Sequence, residues 1–87
     1  LATSTPHGFR MGQPTAKQSL VEYGSLHCPH CAHFAAAAMP EIDKRVRAGA
    51  LKFEFRPFLI FPQDIPATLI AKCVPASRRF AFIEDYY

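Results

Sequence analysis

The sequence predicts an α/β fold from three segments read in order: a short apolar strand over Ser19–Tyr23, a long amphipathic helix opening at Cys28-Pro29 and closing near Gly49, and an alternating strand over Leu51–Phe58. A helix of that length is a standard crossover between neighbouring parallel strands, and such connections are right-handed. The chain has 87 residues, 49% hydrophobic and 20% charged, which is the make-up of one folded domain or part of one and excludes wholesale disorder. Its ten basic and seven acidic residues interleave without a block of one sign, so the net charge of +3 describes a solvated surface and not a nucleic-acid face. No apolar run approaches the roughly 18 residues of a membrane span. The best candidate, Phe58-Leu59-Ile60-Phe61, is bounded by Pro57 and Pro62.

Residues 1–16 mix Thr, Ser, Pro and Gly with isolated apolar residues and are expected to form an extended arm, with a turn at Met11-Gly12-Gln13-Pro14. Leu1–Gly12 has neither a basic n-region nor an apolar h-region and does not read as a signal peptide. In the first strand Leu20, Val21 and Tyr23 suit a packed sheet and are expected to be buried, Glu22 being the exception; Gly24-Ser25 ends it. The helix begins with Pro29 at a position where a missing N–H costs nothing. Cys31, Phe34, Ala35, Ala38, Ile42 and Val46 form its apolar stripe, Pro40 is expected to kink it, and Gly49 follows Lys44, Arg45 and Arg47 as its stop.

In the second strand Leu51, Phe53 and Phe55 alternate with Lys52, Glu54 and Arg56, the pattern of a half-exposed strand that Pro57 ends. Gln63–Val74 reads as a helix with Asp64 as N-cap and Ile65, Leu69, Ile70 and Cys73 on its buried side. Pro75-Ala76-Ser77 breaks it, and Ser77 is expected to cap a last helix, Arg78–Tyr87, with Arg78-Arg79 as a solvated start. Phe53, Phe55, Phe58 and Phe61 are expected in the core, and Cys73 as a small buried hydrophobe.

The chemistry is concentrated in Glu22-Tyr-Gly-Ser-Leu-His-Cys-Pro-His-Cys31. Two cysteines three apart, opening a helix after a strand, are spaced for a reversible disulfide. Cys28 faces the unpaired N–H groups and positive end of the helix dipole, which stabilise a thiolate; Cys31 lies one turn in, where a thiolate is disfavoured. Cys28 is thus the exchanging thiol and Cys31 the resolving one. Pro29 stiffens the turn, and His30 offers hydrogen bonds and, when protonated, positive charge to the Cys28 thiolate. Stabilising the thiolate stabilises the reduced form and makes the disulfide a stronger oxidant, so the pattern leans towards an oxidant of protein thiols; the alternatives are a disulfide reductase or isomerase, and a non-catalytic binding or metal-carrying module. Glu22 reads either as a buried acid of raised pKa, able to take the Cys31 proton, or as a strand-edge carboxylate paired with a lysine. Zinc wants four ligands, usually in two pairs; His27 lies in the approach to the helix and His33 points away from Cys31, so His27, His30 and His33 with the cysteines are not expected to form a dedicated metal site, and no cofactor is expected.

Cys28-Pro29-His30-Cys31 after a strand resembles the thioredoxin superfamily, and Leu20-Val-Glu-Tyr-Gly-Ser-Leu-His-Cys-Pro-His-Cys-Ala-His-Phe34 resembles its DsbA branch of disulfide-introducing enzymes. The strand Phe53–Phe58 and the segment Ala71–Val74 are similar to that branch more loosely. The resemblance implies a thioredoxin-like α/β fold and a periplasmic or secreted protein in an oxidising compartment. Its partners would be client proteins with free thiols, with re-oxidation by a membrane DsbB-like quinone reductase. Glu22 would be the buried acid beneath the cysteines. It divides the chain into the arm 1–16, a strand–helix–strand unit 17–61 and the start of a helical insertion 62–87. None of the eight prolines matches the cis-proline loop of the superfamily, so the chain is expected to correspond to the front portion of such a protein. Two parallel strands alone would leave Phe53 and Phe55 at a surface that a homodimer or strand exchange would cover.

Overall fold

The computed structural model describes residues 2–87. Their elements are β1 (Ala2–Ser4), β2 (Phe9–Met11), β3 (Gln18–Gly24), α1 (Pro29–Arg47), β4 (Leu51–Pro57), α2 (Asp64–Cys73), a 3-10 turn (Ala76–Arg78) and α3 (Arg79–Tyr86). The four strands make one mixed sheet in the order β1-β2-β4-β3. β3 and β4 run parallel from Gln18↔Leu51 to Gly24↔Pro57, as the strand–helix–strand pattern predicts. β2 lies antiparallel on the other side of β4, with Phe9 opposite Phe55 and Met11 opposite Phe53.

The segment expected as a free arm is therefore part of the sheet. Phe9-Arg10-Met11 alternates inward and outward, and Phe9 is 1% exposed. Its reversal is local: the Thr5 N–H donates to the Gly8 carbonyl at 2.8 Å and the Gly8 N–H to the Thr5 hydroxyl at 2.9 Å. A side chain at Gly8 would place its Cβ 2.0 Å from the Phe55 carbonyl oxygen, so only glycine lets the hairpin reach β4.

Phe53 and Phe55 lie in the core, as their alternation predicts, and the hairpin together with α1 and α3 covers the surface that two strands alone would leave open. Both are 1% exposed, enclosed with Phe9, Met39, Ile42, Phe80 and Ile83, and the Phe53 and Phe80 rings meet edge to face at 5.9 Å. Each such ring withdrawn from water contributes about 1.5–3 kcal/mol. β3, expected to be buried, is instead an edge strand, with Leu20, Val21 and Tyr23 exposed and Glu22 partly buried. α1 runs unbroken through Pro40 and ends in a Schellman arrangement: Gly49 takes φ 79°, its N–H reaches the Val46 carbonyl at 3.0 Å, and the Ala50 N–H reaches that of Arg45 at 3.1 Å.

The later helices turn differently from the expected stripe. α2 faces inward with Asp64, Ala67 and Ala71, while Ile65, Leu69, Ile70 and Cys73 are exposed. Small alanines let a helix approach its neighbours closely, and Asp64 is held inward by hydrogen bonds described below. Phe58 and Phe61, expected in the core, are exposed as well, because β4 ends at Pro57 and the chain leaves the sheet. Arg79 is buried, not solvated: it donates to the carbonyls of Ala71, Lys72 and Val74 at 2.9–3.1 Å and lies 4.8 Å over the Phe9 ring. Ser77 lies inside the 3-10 turn and does not cap α3. Among the described residues no helix is long and apolar enough to cross a membrane.

Candidate active site at the start of the first helix

β3 delivers the chain to the site through Gly24. A Cβ there would lie 2.6 Å from the Phe55 ring and 3.1 Å from both the Glu22 carboxylate and the Tyr87 hydroxyl, so a bare backbone is required where these groups converge. Ser25, 1% exposed, then organises a tight turn. Its carbonyl accepts the Cys28 N–H at 3.2 Å and the Tyr87 hydroxyl at 3.1 Å, and its Oγ accepts the His27 N–H at 3.2 Å. The turn leaves Cys28 as the N-cap of α1, in extended backbone (φ −86°, ψ 122°), with Pro29 in the first turn and the Cys28 carbonyl accepting the Ala32 N–H at 3.1 Å.

Cys28 thereby holds the N-cap position, next to the unpaired N–H groups of the first turn. The Cys31 N–H foremost, then the Cys31 thiol and the His30 N–H, hold its pKa below the ordinary thiol value, against desolvation and the charge of Asp64. Burial pushes the Cys31 thiol up; the Ser25 N–H opposes this, and the Cys28 sulfur and the Glu22 charge add to it. Both cysteines are free thiols and partly buried. Burial raises the Glu22 carboxyl to about 7, which favours the buried-acid reading over the lysine-paired one. Burial likewise drives the Tyr87 phenol well above its usual range, keeping it a hydroxyl donor.

The His30 side chain is exposed, and it is the main-chain N–H of His30 that contributes to the lowered pKa of Cys28. His33 is exposed on α1. His27 turns away from both. Its Nδ1 lies 2.9 Å from Asp64 Oδ1 and its Nε2 2.9 Å from the Tyr86 hydroxyl, with the two rings edge to face at 5.4 Å. Asp64, 1% exposed, also accepts the Ser25 hydroxyl at 2.7 Å and the N–H groups of Ile60 and Phe61 at 2.9 Å each. Burial pushes its carboxyl up, but these donors outweigh it and hold the group far below the usual carboxylate range. Ser25, His27, Asp64, Tyr86 and Tyr87 thus belong to the site without a local signature. The sequence offers His27 only as a candidate metal ligand and Asp64 only as a helix cap, a position that Gln63 takes instead, and neither signal pointed to a partner across the fold, 39 residues away in the case of Ser25 and Asp64.

The sequence pattern of the family described as Thioredoxin matches residues 4–87. The "Putative protein-disulfide oxidoreductase" of Rickettsia bellii is 30% identical over 76 residues, an overlap of 86% of this chain and 29% of that protein. The crystal structure of a protein-disulfide isomerase from Novosphingobium aromaticivorans superposes with a TM-score of 0.86 at 35% identity, over 97% of this chain and 43% of that one. The crystal structure of α-DsbA1 from Wolbachia pipientis gives a TM-score of 0.83 at 26% identity, over 94% and 42%. The chain spans less than half the length of each of these proteins.

Proposed function

The chain belongs to the thioredoxin family, with the mixed α/β fold of its DsbA-like protein-disulfide oxidoreductases, and on that premise we propose that it oxidises the thiols of client proteins through a Cys28–Cys31 disulfide. The observation that carries this reading is the inequality of the two cysteines: Cys28 is the N-cap of α1, where first-turn N–H groups lower its thiol pKa, while burial raises that of Cys31. A reduced pair so stabilised makes its disulfide a strong oxidant.

In the oxidising step a client thiolate attacks the Cys28 sulfur. The Cys28–Cys31 bond breaks, its electron pair leaves on Cys31, and Cys31 takes up a proton. Glu22, a carboxyl titrating near 7, exchanges that proton. A second client thiolate then attacks the client sulfur of the mixed disulfide. Cys28 departs as the stabilised thiolate, and two electrons have passed from the client to the pair. Pro29 stiffens the turn that presents Cys28, and the exposed His30 imidazole adds positive charge when protonated. A protein oxidant belongs in an oxidising compartment, periplasmic or secreted, and regenerating the disulfide calls for a DsbB-like membrane quinone reductase. Homodimerisation or strand exchange along β3 is a separable part of the reading, tested by sedimentation.

Titration of the pair against glutathione, with oxidation of a reduced two-cysteine peptide, tests the direction. A potential well above the glutathione pool and stoichiometric peptide oxidation are expected. The isomerase named for the Novosphingobium relative favours a second reading, in which the potential lies near that of protein disulfide isomerase, about −180 mV, and scrambled disulfides are rearranged instead.

A further inference from the structure

The turn before Cys28 is held by groups from two other elements, and thiol exchange as described above does not use them. Asp64 at the start of α2 grips this turn twice, through the Ser25 hydroxyl at 2.7 Å and through His27 Nδ1 at 2.9 Å. Tyr86 in α3 holds the second nitrogen of the same imidazole at 2.9 Å. The same Asp64 carboxylate gathers the N–H groups of Ile60 and Phe61, so the loop after β4 and the turn before Cys28 share one anchor. A buried carboxylate costs several kcal/mol unless it is fully bonded. Here every donor that satisfies it belongs to the framework of the thiol site or to its flanking loop.

We propose that Asp64 and His27 are positioning residues for thiol exchange: by clamping Ser25 and the imidazole of His27, Asp64 sets the Ser25–Cys28 turn that makes Cys28 the N-cap of α1, and Tyr86 locks the clamp from α3. This rests on the reading of Cys28 as the exchanging thiol. The clamp has an electrostatic cost, since Asp64 is a negative charge facing Cys28; Cys31 from α1 and Tyr87 at the end of the chain are the other titrating groups that face it. The imidazole between Asp64 and Tyr86 engages part of that carboxylate, and its loss would both loosen the turn and leave the charge less compensated.

Charge and position therefore predict opposite outcomes for Asp64→Asn. If Asp64 acted only through its field, the substitution would lower the pH midpoint of Cys28 alkylation. As a positioning residue, it raises that midpoint. His27→Phe keeps a ring against Tyr86, removes both nitrogens, and alters a side chain that is 31% exposed; it keeps the clamp falsifiable should Asp64→Asn fail to fold by circular dichroism. The experiment is alkylation rate against pH, read at the Cys28 peptide by mass spectrometry. Both variants are expected to move the midpoint upward, with His27→Phe reacting about fivefold more slowly below it, where one pKa unit is about a tenfold change in thiolate. An unchanged midpoint in His27→Phe, or a lowered one in a folded Asp64→Asn, overturns the proposal. If Cys28 in the unaltered chain reacts no faster than Cys31, the exchange reading itself fails, and the positioning role with it.

Discussion

The hydroxyl of Ser25 and the carboxylate of Asp64 meet at 2.7 Å across 39 residues of sequence, tying the first residue of α2 to the turn that presents Cys28. The bond is fully buried, so neither partner can fall back on water. It also joins the two halves of the sequence at the thiols, where α1 alone would leave the preceding turn without support.

Ser25→Ala removes one of the donors to this carboxylate. A buried charge that loses a charge-assisted hydrogen bond costs about 1.5–3 kcal/mol. A loss of about 2 kcal/mol is expected in denaturant unfolding near neutral pH. The pH dependence has a definite sign. The folded pKa of Asp64 lies below its unfolded value, so the stability that it contributes is present above the unfolded pKa and is lost as pH falls through the folded one. Removing a donor brings the folded pKa up towards the unfolded one. Ser25→Ala is therefore expected to unfold at a higher pH on acidification; an acid transition identical to the parent's would count against the bond.

Glu22 has the opposite sign. Its carboxyl titrates near 7 when folded and near 4.5 when free, so the folded state keeps a proton that the unfolded chain releases between those values. Stability is expected to fall as pH rises from about 4.5 to 7 and to level off above. Glu84, raised to about 7 by burial and by Asp43, acts in the same direction. Glu22→Gln removes one of the two contributions, so its stability changes less over that window than the parent's. The same variant slows proton exchange at Cys31, which stopped-flow reduction of the disulfide measures. Equal pH slopes in Glu22→Gln and the parent would show that Glu22 stays solvated.

His30→Leu tests whether oxidising strength comes from the backbone or the imidazole. What His30 contributes to lowering the Cys28 pKa comes from its main-chain N–H, which leucine retains. The potential is expected to fall by less than about 30 mV, the equivalent of 1.4 kcal/mol for a two-electron couple. A fall of about 60 mV or more would mean that the imidazole carries a bond of its own to the thiolate.

The elements most legible in the sequence are those whose cause is local. β4 alternates strictly from Leu51 to Arg56 and is found so. The ends of α1 are written as Cys28-Pro29 at its start and Gly49 beyond its close, and each does there what its backbone chemistry requires. The cysteine pair is legible because both sulfurs belong to one helical turn. β1 and β2 escape because strands of three residues carry too few positions to show a period. The inner face of α2 escapes for another reason. Ile65, Leu69 and Ile70 outweigh Ala67 and Ala71 in any hydrophobic reading, yet the orientation is set by Asp64 and by close approach of the alanines. The clamp around Ser25 and His27 could not be read at all, because it joins residues that only the tertiary fold brings together.

Arg79 closes the fold at the end of α2, and its chemistry is specific to a guanidinium. Nε donates to the Ala71 carbonyl at 2.9 Å, one terminal nitrogen to the carbonyls of Lys72 and Val74 at 3.1 and 3.0 Å, and the other to the Ser4 hydroxyl at 3.3 Å. These are carbonyls that the last turn of a helix leaves without partners. The cation also rests on the face of Phe9, so it joins α2 to the β1–β2 hairpin. No carboxylate balances it among these contacts; the converging carbonyls and the ring supply the negative field instead. Arg79→Met preserves length and apolar volume but strands the carbonyls, and a loss of about 3 kcal/mol is expected in denaturant unfolding, within the range for breaking a buried charged network. Arg79→Lys keeps the charge, yet one ammonium cannot span carbonyls on both sides of the helix end, so it is expected to recover less than half of that loss. Because Ser4 lies in β1, hydrogen exchange in the hairpin should accelerate together with exchange at the C-terminal turn of α2. Full recovery of stability by lysine, or acceleration confined to α2, would mean that Arg79 acts as a charge alone and does not fasten the hairpin.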